Sequence, residues 1–282
     1  MRRRFLLSTA PPPIMHLSPA RRTGHRIGTV LGVRFVGVSA LSHDGLVRDH
    51  NEDSLVVGPW TLCASVSIVP ATMFFPIGTP LVVAVADGLG GHPAGEEASS
   101  LVVTHLARVG AAVATDAELR DVLEECNRAV HAEAEHDPER IAMGTTIAGL
   151  VVGETDVLIF NVGDSRVYAV EDGRITQLSV DDNEPPARGQ TRSPVVTQTL
   201  GGRFDLGAIE PHISSRPSAA PSRYLVCSDG LTDAVDEATI AGIVHDHDGG
   251  EAAFKLWQAA IQAGAPDNIT VALVEISDDQ GA

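Results

Sequence analysis

Val82-Val83-Ala84-Val85-Ala86-Asp87-Gly88 reads as a strand that stops on a carboxylate. Its unbroken apolar run reads as a buried strand. The pattern recurs. Tyr224-Leu225-Val226-Cys227-Ser228 runs into Asp229-Gly230, and Leu158-Ile159-Phe160-Asn161-Val162-Gly163 runs into Asp164-Ser165. Asp267-Asn268 stands just before the apolar run 269–276, and Asn51-Glu52-Asp53 before Leu55-Val56-Val57. A single Asp-Gly after a strand is an ordinary turn. Repeated acids at strand ends say more, because rigid strand ends are where a fold can hold several carboxylates close together.

Outward from these ends, strand signals dominate: apolar runs rich in Val, Ile and Leu fall at 34–40, 81–86, 147–152, 157–162, 166–170, 224–227 and 269–276. The spacing predicts a hairpin of 157–162 with 166–170 through Gly163-Asp164-Ser165, and a further turn at Glu171-Asp172-Gly173-Arg174. Between 94 and 134 the period becomes helical, with Leu119, Val122, Leu123, Cys126 and Val130 on one face. Near the end Phe254, Trp257 and Ile261 repeat the pattern, widened by Ala253, Leu256 and Ala260. Strands in runs, then helices, then strands again indicate an α+β fold with largely antiparallel sheets. The stretch 182–194, with Asn183, Pro185, Pro186, Gly189 and Pro194, reads as loop.

Clustered carboxylates repel one another unless something positive sits among them. An all-oxygen set selects hard cations, Mg²⁺ or Mn²⁺, and the sequence offers no His or Cys set of the kind zinc prefers. The glycines after Asp87 and Asp229 let a backbone carbonyl or a water approach such an ion. Two divalent ions about 4 Å apart can share a water, lower its pKa and hold it in line with phosphorus. Arg48, four residues before Glu52, is the natural grip for the phosphate, since a guanidinium binds two of its oxygens at once.

The bulk numbers narrow the field. Among 282 residues, 44% are hydrophobic and 20% charged, the composition of a globular chain. The net charge is −17; residues 1–34 carry seven arginines and no acid, leaving the rest at −24. An acidic body repels phosphate backbones, which argues against nucleic acid as a partner and against a nuclease. Three widely spaced cysteines, Cys63, Cys126 and Cys227, favour a reducing cytoplasm over a disulfide scaffold. The stretch 54–86 has no charged residue and is long enough to span a bilayer, but Pro59, Pro70, Pro76 and Pro80 interrupt it. It reads as two buried strands joined by a Pro-rich loop. Residues 1–33 read as a flexible basic tail, 34–278 as one catalytic domain and 279–282 as a short C-terminal tail.

Arg48-x-x-Asn51-Glu52-Asp53, Val85-Ala86-Asp87-Gly88-Leu89-Gly90-Gly91-His92, Gly144-Thr145-Thr146, Asn161-Val162-Gly163-Asp164-Ser165-Arg166, Ser228-Asp229-Gly230-Leu231-Thr232-Asp233 and Asp267-Asn268-Ile269-Thr270 follow in one order. In that order they resemble the type 2C (PPM) metal-dependent protein serine/threonine phosphatases, the bacterial branch above all. The resemblance implies a four-layer α-β-β-α sandwich with two or three Mn²⁺ or Mg²⁺ at one end of the cleft. Asp87 would bridge two ions, Asp229 and Asp267 would complete one shell, and Glu52 with the Gly88 carbonyl would hold the other. Asp164 with Asp229 would hold a third, weaker ion. Asp53, grouped with the metal set, and Asn268 resemble residues that support those ligands. Arg48, Asp87 and Asp229 are the expected catalytic residues, acting with a metal-bridging water. The implied partners are phosphorylated proteins and a serine/threonine kinase pathway.

The match departs in two places. Leu89 stands where some members carry a histidine after the first Asp-Gly, and His92 reads as a loop residue. Leu178-Ser179-Val180-Asp181-Asp182-Asn183 leads to Thr197-Gln198-Thr199-Leu200-Gly201 through a short Pro-rich loop, about 182–198, where relatives have a longer flap. A more open site with loose recognition around the phosphoresidue follows. The rival function is a catalytically weak, phosphatase-like sensor; the presence of Asp87, Asp229 and Asp267 opposes it.

Overall fold

The computed structural model describes residues 34–89, 94–136, 140, 143–186, 193, 195–202 and 206–278. The expected tails, 1–33 and 279–282, and His92 lie outside them. The described chain begins with β1 (Arg34–His43), β2 (Ser54–Val57), β3 (Trp60–Cys63), β4 (Ala71–Pro76), β5 (Leu81–Ala86) and β6 (Gly88–Leu89). Helices α1 (Ala94–Val109) and α2 (Asp116–Ala134) follow, with a 3-10 turn at Gly110–Ala112 between them. Next come β7 (Gly144–Thr145), β8 (Ile147–Val152), β9 (Asp156–Val162), β10 (Arg166–Glu171), β11 (Arg174–Gln177) and β12 (Leu200–Gly201). The chain then forms β13 (His212–Pro217), β14 (Ser222–Cys227), α3 (Asp229–Thr232), α4 (Glu237–Asp246), α5 (Gly249–Gln262) and β15 (Ile269–Asp278).

Two six-stranded sheets result, in the orders β11-β10-β14-β15-β1-β4 and β13-β9-β8-β5-β2-β3, with a small third sheet β12-β7-β6. Every pairing within them is antiparallel. The layering explains the unbroken apolar run of β5. Val82, Ala84 and Ala86 pack with Val102, Leu106, Leu123 and Val130 of α1 and α2. Leu81, Val83 and Val85, pointing the other way, meet Val38, Val226, Ala272 and Val274 of the facing sheet. That sheet's outer face, with Leu41, Leu225 and Leu273, is covered by Leu231, Ile240, Leu256 and Ala260 of α3 to α5. The fold is α+β, a helix–sheet–sheet–helix sandwich. α2 starts where its sequence can satisfy free N–H groups: Thr115 accepts from Glu118 N–H, and the Glu118 carboxylate accepts from Thr115 N–H.

Three sequence expectations need correction. The strands 157–162 and 166–170 are not a hairpin: β9 pairs with β8 and β13, whereas β10 pairs with β11 and β14. Gly163-Asp164-Ser165 instead carries the chain from one sheet to the other, with Gly163 at φ 100°. The hairpin is the next turn, where Asp172 (φ 51°) and Gly173 (φ 72°) take the left-handed conformations such a turn favours. In 54–86 the terminal strands are buried as expected, but β3 and β4 lie between them as edge strands of different sheets. Proline is tolerated there because an edge leaves a backbone donor unneeded. In α5 the buried side chains are Ala252, Ala253, Leu256 and Ala260. Phe254, Trp257 and Ile261 flank them, since the small alanines let the helix approach the sheet more closely. Among the described residues no helix is long and apolar enough to cross a membrane.

Candidate active site

Register gathers the acids at one end of the sandwich. Ser54 pairs with Ala86, so Glu52-Asp53 and Asp87 emerge side by side. Ile147 pairs with Val162, which sets Thr146 beside Gly163-Asp164. Cys227 pairs with Val271 and His43 with Ile269, which brings Ser228-Asp229, Asp267-Asn268 and the loop after β1 together in the other sheet.

The two sheets are joined here by hydrogen bonds. Ser228 Oγ donates to Asp53 Oδ2 at 2.8 Å and accepts from Thr270 N–H at 2.9 Å. Asn268 acts as a staple: its Oδ1 accepts from Glu52 N–H at 2.9 Å, and its Nδ2 donates to the carbonyls of Asp44 and His50 at 3.1 and 2.9 Å. The Asp87 backbone is held on both sides, its carbonyl accepting from Thr145 Oγ1 and Thr146 N–H, both at 2.8 Å, and its N–H donating to Thr146 Oγ1 at 3.2 Å. Gly88 is enclosed by backbone; a Cβ there would overlap the Gly95 carbonyl and lie 2.7 Å from the Glu52 carbonyl.

Electrostatics mark the cluster as strained in charge. Burial, with the charges of Asp53, Asp229, Asp267 and Asp164, pushes Asp87 well above the usual carboxylate range. Asp229 is pushed up to about 7 by burial and by Asp164, Asp233 and Asp267, against a hydrogen bond with Asp87. Asp53 is pushed up to about 7, again mainly by burial, against hydrogen bonds from Thr270 and Ser228. These groups cannot all ionise at neutral pH without added positive charge. The donors are all oxygen, which fits a hard divalent cation.

Each outlying acid is held by a neighbour. Arg48 Nη2 lies 2.7 Å from Asp267 Oδ2, His50 Nε2 lies 3.0 Å from Glu52 Oε1, and Asn183 Nδ2 donates to Asp164 Oδ2 at 2.9 Å. Among the described residues no three His, Cys, Asp or Glu side chains form a ready shell for one ion. Taking up cations would therefore require some of these partners to let go. The sequence missed several supports: Asn183, His50 and Ser99, whose Oγ donates to the Glu52 carbonyl at 2.6 Å. None carries a spacing signal, because each is brought in by tertiary packing.

The sequence model of the family described as "Protein phosphatase 2C" matches residues 76–272. This chain belongs to the protein phosphatase 2C family. It is 32% identical over 257 residues to the serine/threonine protein phosphatase PstP of Mycobacterium tuberculosis, a match covering 85% of this chain and 45% of PstP. The chain thus spans about half the length of that relative. It is 30% identical over 251 residues to the serine/threonine phosphatase stp of Listeria welshimeri, a match covering 82% of this chain and 92% of stp. Its fold matches the crystal structure of the PstP catalytic domain, described in complex with two manganese ions, with a TM-score of 0.71 and 31% identity over 87% of this chain and all of that one.

Proposed function

We infer that this chain is a metal-dependent protein serine/threonine phosphatase, a phosphomonoester hydrolase acting on phosphoserine and phosphothreonine. The observation that carries the reading is the half-buried Asp87–Asp229 pair, crowded by the charges of Asp53, Asp164 and Asp267, whose oxygen donors suit Mn²⁺ or Mg²⁺. Membership of the 2C family and likeness to the manganese-bound PstP domain support it.

Asp87 would be shared between two ions, with Asp229 and Asp267 on one and Glu52 and the Gly88 carbonyl on the other. Asp164 and Asp229 would hold a third. When bound, such ions supply a water acidic enough to attack phosphorus at neutral pH, and positive charge where the leaving oxygen gains electrons. The protein's own residues do the rest. Arg48, 49% exposed at its side chain, reaches out of the site and can turn from Asp267 to a phosphate, binding two oxygens. Ser228, fixed by Asp53, sets the start of α3 and so aims Asp229. Asn268 keeps Glu52 and the loop 44–50 in register. Leu89 offers no proton to a leaving group.

The substrates are phosphorylated proteins supplied by a serine/threonine kinase pathway, and the setting is the cytoplasm, in keeping with three cysteines that form no disulfide with one another. Hydrolysis of p-nitrophenyl phosphate and of a phosphothreonine peptide in Mn²⁺, stopped by EDTA and restored by excess metal, is the expected result. A folded protein with no turnover in Mn²⁺ or Mg²⁺ would make the sensor the better account.

A further inference from the structure

The stretch Asp181-Asp182-Asn183, where the sequence leaves the family pattern, is built around one carboxylate. Asp182 Oδ2 accepts from Gly163 N–H at 2.8 Å and from Gln198 Nε2 at 2.9 Å, and Oδ1 lies 2.8 Å from His212 Nε2. Its backbone joins in: Asp182 N–H donates to the Gly163 carbonyl at 3.1 Å, and its carbonyl accepts from Thr197 N–H at 2.7 Å. The side chain is only 13% exposed. Gln198 in turn receives Glu210 N–H on its Oε1 at 2.6 Å. Thus Asp182 ties the sheet-switching turn at Gly163 to both ends of the short flap loop and to the start of β13.

What that turn carries is Asp164. Gly163 holds a left-handed φ of 100°, and a Cβ there would lie 2.7 Å from Thr146 Cβ, so the turn has no slack on its inner side. Asp182 fixes its outer side through both the N–H and the carbonyl of Gly163. The next residue, Asn183, donates to Asp164 Oδ2 at 2.9 Å and bridges across the flap base to Val196. One side chain therefore governs where Asp164 stands and where the flap begins.

We propose that Asp182 is a positioning residue that, with His212 and Gln198, locks the flap base to the Gly163-Asp164 turn and so sets both cation affinity at Asp164 and the grip on peptide substrates. Its carboxylate engages Gly163, Gln198 and His212, so it acts on the site through the turn it holds. The proposal deepens the phosphatase reading and rests on it for the substrate arm only. A misplaced supporting group typically weakens metal binding about 10- to 100-fold.

The test is Mn²⁺ titration by calorimetry of the full chain and its Asp182→Ala, Asp182→Asn and His212→Ala variants, with thermal unfolding to establish folding. KM for a phosphothreonine peptide and for p-nitrophenyl phosphate would be measured alongside. Asp182→Ala is expected to weaken the weakest Mn²⁺ site about tenfold or more and to raise the peptide KM more than that of p-nitrophenyl phosphate. Asp182→Asn should recover most of both, because an amide oxygen still accepts the Gly163 N–H. His212→Ala should fall between. If Asp182→Ala does not fold, His212→Ala against Asp182→Asn carries the comparison. A folded Asp182→Ala or His212→Ala with wild-type isotherm and wild-type KM ratio would overturn the proposal. A wild-type protein that binds Mn²⁺ but hydrolyses neither substrate would instead sink the phosphatase reading and leave the metal arm standing.

Discussion

Arg48 and Asp267 form an ion pair, with Nη2 2.7 Å from Oδ2, although one is the expected phosphate grip and the other an expected metal ligand. Their side chains are 49% and 36% exposed, so the pair belongs to the class of surface bridges worth about 0–1 kcal/mol. A dianionic phosphate or a divalent cation can outcompete so weak a bond. The pair therefore parks Arg48 beside the site at little energetic cost.

Replacing Arg48 should accordingly damage substrate binding more than stability. Arg48→Ala is expected to raise the KM for a phosphothreonine peptide about tenfold or more, with unfolding temperature nearly unchanged. Arg48→Lys should recover little, because an ammonium is a point charge without the planar fork. Steady-state kinetics of the three proteins, beside their melting curves, check this. Equal activity of Arg48→Ala and wild type would remove Arg48 from the site.

The raised carboxylates give stability without metal a definite pH dependence. Asp53 and Asp229, at about 7 in the folded chain against an ordinary 3.8, hold protons that the unfolded chain has released. Between those values the folded state binds more protons, so stability falls as pH rises from about 4 through 7. In EDTA the unfolding temperature should drop by several degrees between pH 5.5 and 8, and saturating Mn²⁺ should reverse the drop at pH 8. A flat profile in EDTA would contradict the charge crowding.

Two glycines should resist substitution for lack of space. A Cβ on Gly88 would overlap the Gly95 carbonyl, and one on Gly230 would overlap the Asn268 carbonyl. Both neighbours are backbone, which yields less readily than a side chain. Gly230→Ala is expected to cost about 1–3 kcal/mol and to push Asp229 from Asp267, so denaturant midpoint and activity should fall together. An active, fully stable Gly230→Ala would refute the packing.

Most of what positions the acids was legible in the sequence, because each sits at the end of an apolar run that burial on both faces makes unmistakable. The partnering of those runs was not. Gly163-Asp164-Ser165 has the chemistry of a hairpin turn, and only the competition of β8, β13, β11 and β14 for the flanking strands shows that it switches sheets. α4 was hidden because Ile240 and Val244 are its only buried residues, a single turn's worth of stripe. The hydrogen-bond partners Asn183 and Ser99 lie far along the chain from Asp164 and Glu52, beyond the reach of any local pattern.

The most direct test of the central claim, that a half-buried and charge-crowded Asp87–Asp229 pair is built for cations and catalysis, is Asp229→Asn assayed for phosphothreonine-peptide hydrolysis in Mn²⁺ and for unfolding in EDTA at pH 8. Activity should fall more than about a hundredfold, beyond the usual loss from a supporting residue, while the unfolding temperature rises because a repelled carboxylate is gone. A variant with near wild-type turnover, or one that loses activity only by unfolding, would contradict the account.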